Sequence, residues 1–561
     1  MRTTTLAVAL AALSFAPLTP LHTQQPGVTA LPDTAIARID RVFAALGSAE
    51  APGCAVGMSR NGQPVLTRAY GMANLEHGVR NTPETVFESG SVAKQFTAAA
   101  LVLLAQDGRL SLDDDVRRYL PEVPDFGRRI TIRHLLTHTS GLRDQWGLLG
   151  LKGSGPGTQV HDFDTILNLV SRQRALNFRP GEEYLYSNTG YTLAAIIVQR
   201  VSGRSLAAFS SERLFTPLGM TNTRWRDDFT TVVRNRATAY SGTAATGFRQ
   251  DMPFTNVIGN GGLLTTVADL LAWNAFLDGA VTAVGGPGFM HQMEARMTLN
   301  DGRRSDYALG LTVGERDGIR EVTHGGATAG YRTWLARYPA RGLSIAVLCN
   351  SARANASSLG EQAMATVLPR PAASAATTAA ATADTDLAPY AGLFRAARTE
   401  TLMRAAVRDG RLTTELPGTM TLVPTGPDRF RAGTQEIVYL RDGGRVREVL
   451  RVSDGDTTRY LPARAATPTP ASLAAYAGTY WSDELETRLR MLVRDGALVV
   501  QQRRGSEVVL APTFADGFTG PAGNIVFSRN RAGRVDGFGI WAGRVRNVRF
   551  SREAVTPATT R

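Results

Sequence analysis

The chain has 561 residues, 43% hydrophobic and 20% charged, which describes a globular protein with material for more than one packed core. Its net charge of +13 is spread along the chain, with no basic block interleaved with aromatics, and this argues against a nucleic-acid surface. Two cysteines, Cys54 and Cys349, exclude a disulfide scaffold.

Residues 1–25 read as an export signal. Arg2 supplies the positive start, and Leu6 to Ala16 is an apolar run too short to span a bilayer. The expected location is therefore periplasmic or secreted. No later stretch has the length and apolarity of a membrane span. Asp33 to Leu46 has helical spacing. Cys54–Ser59 and Val65–Tyr70 read as strands joined by an Asn61-Gly62 hairpin. Two readings of the cysteines stay open: two buried small hydrophobes, or a disulfide if their strands are neighbours in an exported chain. Ser91–Ala105 and Thr189–Val201 are predicted helices. Glu321–His324, Arg332–Tyr338 and Leu343–Cys349 are predicted strands, followed by a helix over 357–367. The first and last strands are expected in one sheet, with the helical middle packed beside it.

A linker of small residues and Pro occupies 369–386. Beyond it the chain repeats itself. Leu387-Ala-Pro-Tyr390-Ala-Gly392 matches Leu473-Ala-Ala-Tyr476-Ala-Gly478, and Val407-Arg-Asp-Gly410 matches Val493-Arg-Asp-Gly496. Asp-Gly turns between short alternating runs indicate hairpins. The spacing predicts two antiparallel β barrels, at 387–465 and 471–553, after an α/β region at 27–368. Two autonomous barrels would leave a catalytic region that folds alone. They would act either as a lid over the cleft or as a brace.

Lys94 carries the first chemical signal. Lys94 and Lys152 are the only lysines among 62 basic residues, and Lys94 follows Ser91 by one helical turn. Arginine does not serve as a base, because its guanidinium stays protonated, whereas a desolvated lysine amine loses its proton. Ser91-x-x-Lys94 thus has the form of a nucleophile with its base. Tyr186-Ser-Asn188 and His324-Gly-Gly-Ala327 are the partner motifs. His134 and His138 lack the Glu of a zinc protease and read as a structural helix and turn. Asp113–Asp115 reads as a solvated helix start. Glu182 and Glu183 read as shaping a loop. No Gly-x-Ser-x-Gly elbow, metal set or cofactor fingerprint is present.

Around these residues stand Phe87-Glu-Ser-Gly-Ser91-Val-Ala-Lys94-Gln-Phe96, Leu135-Leu-Thr-His-Thr-Ser-Gly-Leu142, Pro180-Gly-Glu-Glu-Tyr-Leu-Tyr-Ser-Asn-Thr-Gly190 and Pro217-Leu-Gly-Met220. Over roughly residues 30–368 this wording resembles the serine β-lactamase-like and penicillin-binding hydrolases. The duplicated barrels resemble those of D-aminopeptidases in that superfamily. The resemblance implies that Ser91 is acylated, that Lys94 takes its proton, and that Tyr186 shuttles a proton to the leaving group. It implies a substrate contact at Asn188 and an oxyanion hole of the Ser91 and Ala327 N–H groups. A cationic Lys94 is expected to lower the Tyr186 phenol pKa. Gly325 and Gly326 are expected to let substrate lie against the strand edge. His324 stands where many relatives carry a lysine, which points to a neutral specificity contact. The implied substrates are D-amino-acid peptides or amides, in aminopeptidase or carboxypeptidase fashion. An esterase or β-lactamase, and a non-catalytic peptide or cell-wall binder, are the alternatives.

Overall fold

The computed structural model describes residues 30–280, 282–368, 386–415, 418–433, 435–453, 456–501 and 507–554. The predicted signal at 1–25 and all but the last residue of the 369–386 linker lie outside them.

Six antiparallel strands form the sheet of the first region, in the order Thr312–Arg316, Ile319–Thr328, Tyr331–Tyr338, Leu343–Cys349, Cys54–Arg60, Gln63–Tyr70. The first and last of these strands along the chain, Cys54–Arg60 and Leu343–Cys349, pair within it, where Cys54 faces Cys349 and the two form a disulfide. Both are buried, but of the two readings of the cysteines the disulfide holds and the one of unpaired small hydrophobes does not. The helices Asp33–Phe43 and Ala356–Met364 cover one face, packing Ile39, Phe43 and Met364 against Val56, Ile345 and Val347. Val267–Leu277 covers the other face. Gly57 permits that contact: a Cβ there would lie 3.0 Å from Leu271 Cδ1.

The helical middle is built around Lys94–Gln106. Every residue from Lys94 to Leu104 is buried, which suits an Ala/Leu-rich helix apolar on all sides. Asn188–Ser202 packs beside it, capped at its end by the left-handed Gly203. These two helices bring Ser91, Lys94 and Asn188 together.

After the linker, nine strands between Gly392 and Ala463 form an antiparallel sheet. Its two end strands, Thr419–Thr421 and Val423–Gly426, adjoin in sequence through Leu422, so the sheet curls into a nearly closed barrel. Eight strands from Gly478 to Arg552 form a fully closed barrel. The repeat extends to a polar cluster in each. Tyr390 donates to Asp428, which Arg441 also reaches, and Tyr476 donates to Asp516, which pairs with Arg529.

The first barrel has its own apolar core, whereas the buried apolar cluster of the catalytic region continues into the second. Gly147, on the helix Gln145–Lys152, meets Val545 so closely that a Cβ would lie 2.6 Å from Val545 Cγ2. Arg143 is buried beside it, paired with Glu484 of the second barrel at 3.0 Å. Such an interface argues against a catalytic region that folds alone, because truncation would leave a buried guanidinium without its carboxylate.

Candidate active site

Ser91 lies on the 3₁₀ turn Gly90–Ala93, which runs directly into Lys94–Gln106. The turn starts with Gly90 at φ +52°, where a Cβ would also lie 2.7 Å from Ala327 N. Glycine is therefore required twice over, by conformation and by space. Lys94 Nζ sits 3.1 Å from Ser91 Oγ, 3.0 Å from Asn188 Oδ1 and 2.6 Å from the Asn260 carbonyl. Its burial pushes the amine pKa well below the ordinary lysine value, Asp144 opposes that shift, and Arg544 adds to it. A neutral amine has two N–H donors and one lone pair. In that form Asn188 and Asn260 would accept the donors, and the lone pair would be left for the Ser91 hydroxyl.

Tyr186 stands two residues before the helix Asn188–Ser202, next to the extended Ser187, with its hydroxyl in hydrogen-bonding reach of Ser91. The expected lowering of its pKa does not occur. Burial raises the phenol well above its ordinary value, and this outweighs the Ser91 bond and Arg544. Lys94 lies over the ring face, 4.7 Å from the centroid, and is itself driven towards neutrality. Tyr186 is thus a neutral donor at pH 7.

Asn188 has both ends of its side chain engaged. Oδ1 faces Lys94, and Nδ2 donates to Asp144 Oδ2 at 2.8 Å. The second Nδ2 hydrogen is the group left for a substrate. His324 is buried in the strand Ile319–Thr328. Its Nδ1 lies 2.6 Å from the Gly325 carbonyl and its Nε2 2.8 Å from the Tyr307 hydroxyl. These contacts suit a tautomer protonated at Nδ1, with Nε2 accepting from Tyr307. Burial, aided by Lys94, pulls its pKa down to about 4, so the imidazole is neutral at pH 7.

The glycines after His324 serve different ends. A Cβ at Gly326 would lie 2.0 Å from the Ser89 carbonyl oxygen, so this glycine makes room for the turn that carries Ser91 and not for a substrate. At Gly325 the nearest atom to a Cβ would be Thr333 O, at 3.9 Å. The strand Thr312–Arg316 pairs with its neighbour only as far as Thr323, leaving the edge at 324–328 without it. Ser91 and Ala327 line one cleft of about 910 Å³ with Tyr186, Asn188 and His324.

Sequence reasoning missed several residues. His138, read as structural, lies 4.1 Å ring to ring from Tyr186, and its Nδ1 accepts the Ser187 N–H at 3.1 Å. Asp144 fixes Asn188 through two bonds and also caps the helix Gln145–Lys152. The quoted Leu135–Leu142 motif pointed to this neighbourhood. No motif pointed to Arg544, which reaches in from the second barrel, its Cζ 4.5 Å over the Tyr186 ring. Glu182 and Glu183 tie both barrels down, pairing with Arg398 and Arg546. His134 is used locally: it forms a capping box with Thr131. Asp115 caps the short turn at Val116–Arg118, a helix start as read. Among the described residues, no three His, Cys, Asp or Glu side chains are grouped to hold a metal ion.

This geometry coincides with a family match. Residues 39–368 match the Beta-lactamase family profile, and the chain belongs to that family. It is 34% identical over 281 residues to the D-aminopeptidase of Brucella canis, covering 50% of this chain and 53% of that relative. The D-aminopeptidase of Brucella anthropi is likewise 34% identical over 281 residues, covering 50% and 52%. The chain thus spans about half the length of these curated relatives. The octameric penicillin-binding protein homologue from Pyrococcus abyssi shares the fold, with TM-score 0.54 and 22% identity over 76% of this chain and 99% of that one.

Proposed function

We propose that the protein is an exported serine hydrolase that acts through an acyl-enzyme on D-amino-acid-containing peptides or amides. The observation that carries this reading is Lys94: fully buried, depressed in pKa and 3.1 Å from the Ser91 hydroxyl. In acylation Ser91 Oγ attacks the scissile carbonyl carbon while its proton passes to Lys94 Nζ. The carbonyl electron pair moves onto oxygen, where the Ser91 and Ala327 N–H groups receive it. Collapse of this intermediate breaks the bond to the leaving amine. Tyr186 donates the proton that amine needs, and the Lys94 ammonium restores it. The raised Tyr186 pKa makes the two transfers concerted, with no free phenolate. A water then attacks the ester carbonyl, releasing the acid and regenerating Ser91.

The D-amino-acid substrate class is supported by the two D-aminopeptidase relatives. Export is supported by the Cys54–Cys349 disulfide, since such bonds persist in oxidising compartments. The test is intact-mass spectrometry of the full chain with a slow acylating D-aminoacyl ester. A single adduct is expected on Ser91, lost in Ser91→Ala, with acylation at least ~100-fold slower in Lys94→Arg. An adduct on another residue, or unimpaired acylation in Lys94→Arg, refutes the assignment.

A further inference from the structure

Arg544 occupies the hairpin between the last two strands of the second barrel, Val535–Ala542 and Val545–Arg552. The hairpin is pinned to the catalytic region at several points. The Arg544 carbonyl accepts from Asn177 Nδ2 at 2.9 Å, the Arg546 N–H donates to Asn177 Oδ1 at 2.8 Å, and Arg546 pairs with Glu183 at 2.9 Å. The guanidinium is thereby carried into the cleft that Ser91, Asn188 and His324 line. It stacks on Tyr186, and stacking on a ring face leaves the planar N–H edge open to a ligand.

Most other charged groups around the cleft are already engaged. Glu88 is paired with Arg226 and lies 3.5 Å from Arg236. Asp144 accepts two bonds from Asn188. The Arg332 guanidinium donates to the Ala329 and Tyr331 carbonyls, and Asp251 acts on it only through its charge. His324 and Lys94 are driven towards their neutral forms. Among the described residues, no carboxylate pairs with the Arg544 guanidinium. A substrate ammonium entering beside Ser91 would meet this cation. A carboxylate would meet a fork suited to a bidentate contact.

We propose that Arg544 is the specificity-determining anion receptor of this cleft, selecting substrates with a free carboxylate near the scissile bond over those with a free ammonium. The proposal rests on the serine-hydrolase reading and narrows its substrate class. It departs from what a D-aminopeptidase requires, because such a substrate presents an amine.

The test compares full-length wild type with Arg544→Gln, Arg544→Lys and Arg544→Glu. The substrates are N-acetyl-D-alanyl-D-alanine, its C-terminal amide and D-alanine p-nitroanilide. Wild type is expected to favour the carboxylate over the amide in kcat/KM. Arg544→Gln should reduce that ratio at least about tenfold, the loss expected for one charge-assisted hydrogen bond. Arg544→Lys should keep part of the ratio, and Arg544→Glu should turn preference towards the anilide. A readout without turnover is protection of Ser91 from a fluorophosphonate label by N-acetyl-D-alanine or by its amide. The acid should protect better in wild type and lose that advantage in Arg544→Gln. Equal ratios, or equal protection, in wild type and Arg544→Gln overturn the proposal while the hydrolase reading stands. A wild-type Ser91 that takes no label overturns the hydrolase reading itself, and this proposal with it.

Discussion

Arg398 of the first barrel and Glu484 of the second stand at the same place in the repeat, 86 residues apart. Both reach the catalytic region, but by opposite means. Arg398 is an exposed cation that bonds Glu182 and Glu183 from the surface. Glu484 is a buried anion paired with a buried Arg143. Burial pushes the Arg143 guanidinium below its ordinary pKa and the Glu484 carboxyl above its own, and each partner holds the other charged. The last hairpins also differ. The first copy reads Ser453-Asp-Gly-Asp456, where the second reads Gly543-Arg544 and places Arg544 in the cleft. Duplication preserved the barrel and its Tyr–Asp–Arg cluster. The loops acquired separate tasks, and the second copy became part of the catalytic core.

The largest test of that contrast is deletion. A chain ending before Ala466 removes the cover of Gly147 and the partner of Arg143, and it should be insoluble or take no label at Ser91. Soluble, label-competent protein from that truncation would show the second barrel to be dispensable. Glu484→Ala should come next, destabilising by about 3–5 kcal/mol in chemical denaturation, as expected when one buried partner is left alone. The double change Arg143→Met with Glu484→Leu should recover most of that loss; additive losses would rule out a coupled pair.

Acid should separate the halves as well. All seven histidines precede the linker, and burial holds His324 and His134 near pKa 4 against an ordinary 6.5. Between pH 6.5 and 4 the unfolded chain binds protons that the native state refuses, so stability falls as pH drops through that window. For His324 the loss is on the order of 3 kcal/mol. Hydrogen exchange at pH 4.5 should open the catalytic region while the first barrel stays protected, and His324→Asn should flatten the pH slope. An unchanged slope would mean that His324 is protonated in the native state. The smallest effect belongs to Arg398→Ala. Its ion pairs are solvent-screened on the arginine side, and the cost should be about 0–1 kcal/mol in the same denaturation assay. A cost matching Glu484→Ala would erase the distinction between the copies.

Much of this was legible in the residues. Asn61-Gly62 predicted a hairpin, and the structure turns there between Arg60 and Gln63. The helix read over Thr189–Val201 runs Asn188–Ser202, and the strand read over Leu343–Cys349 has those bounds. Local periodicity and turn chemistry determine such elements, so single-chain patterns reveal them. The strand read at Glu321–His324 runs on to Thr328. Its glycines lack the β-forming pattern and are held extended by pairing with Tyr331–Tyr338.

Ser91, Lys94 and Tyr186 were legible because a short spacing on one helix turn, or a contiguous motif, is enough to bring reactive groups close. The sign of the Tyr186 shift was not. It depends on how much water three distant segments exclude, and desolvation outweighs a neighbouring amine that is itself losing its charge. The roles of Gly326, Asp144 and Arg544 belong to the same class. By itself the sequence determined the elements, the repeat and the closeness of Ser91 to Lys94, all of which rest on local patterns along the chain. The tertiary structure alone decided which barrel joins the cleft, what charge it brings and which buried groups are neutral. Those outcomes depend on burial and on contacts hundreds of residues apart, for which a linear pattern carries no signal.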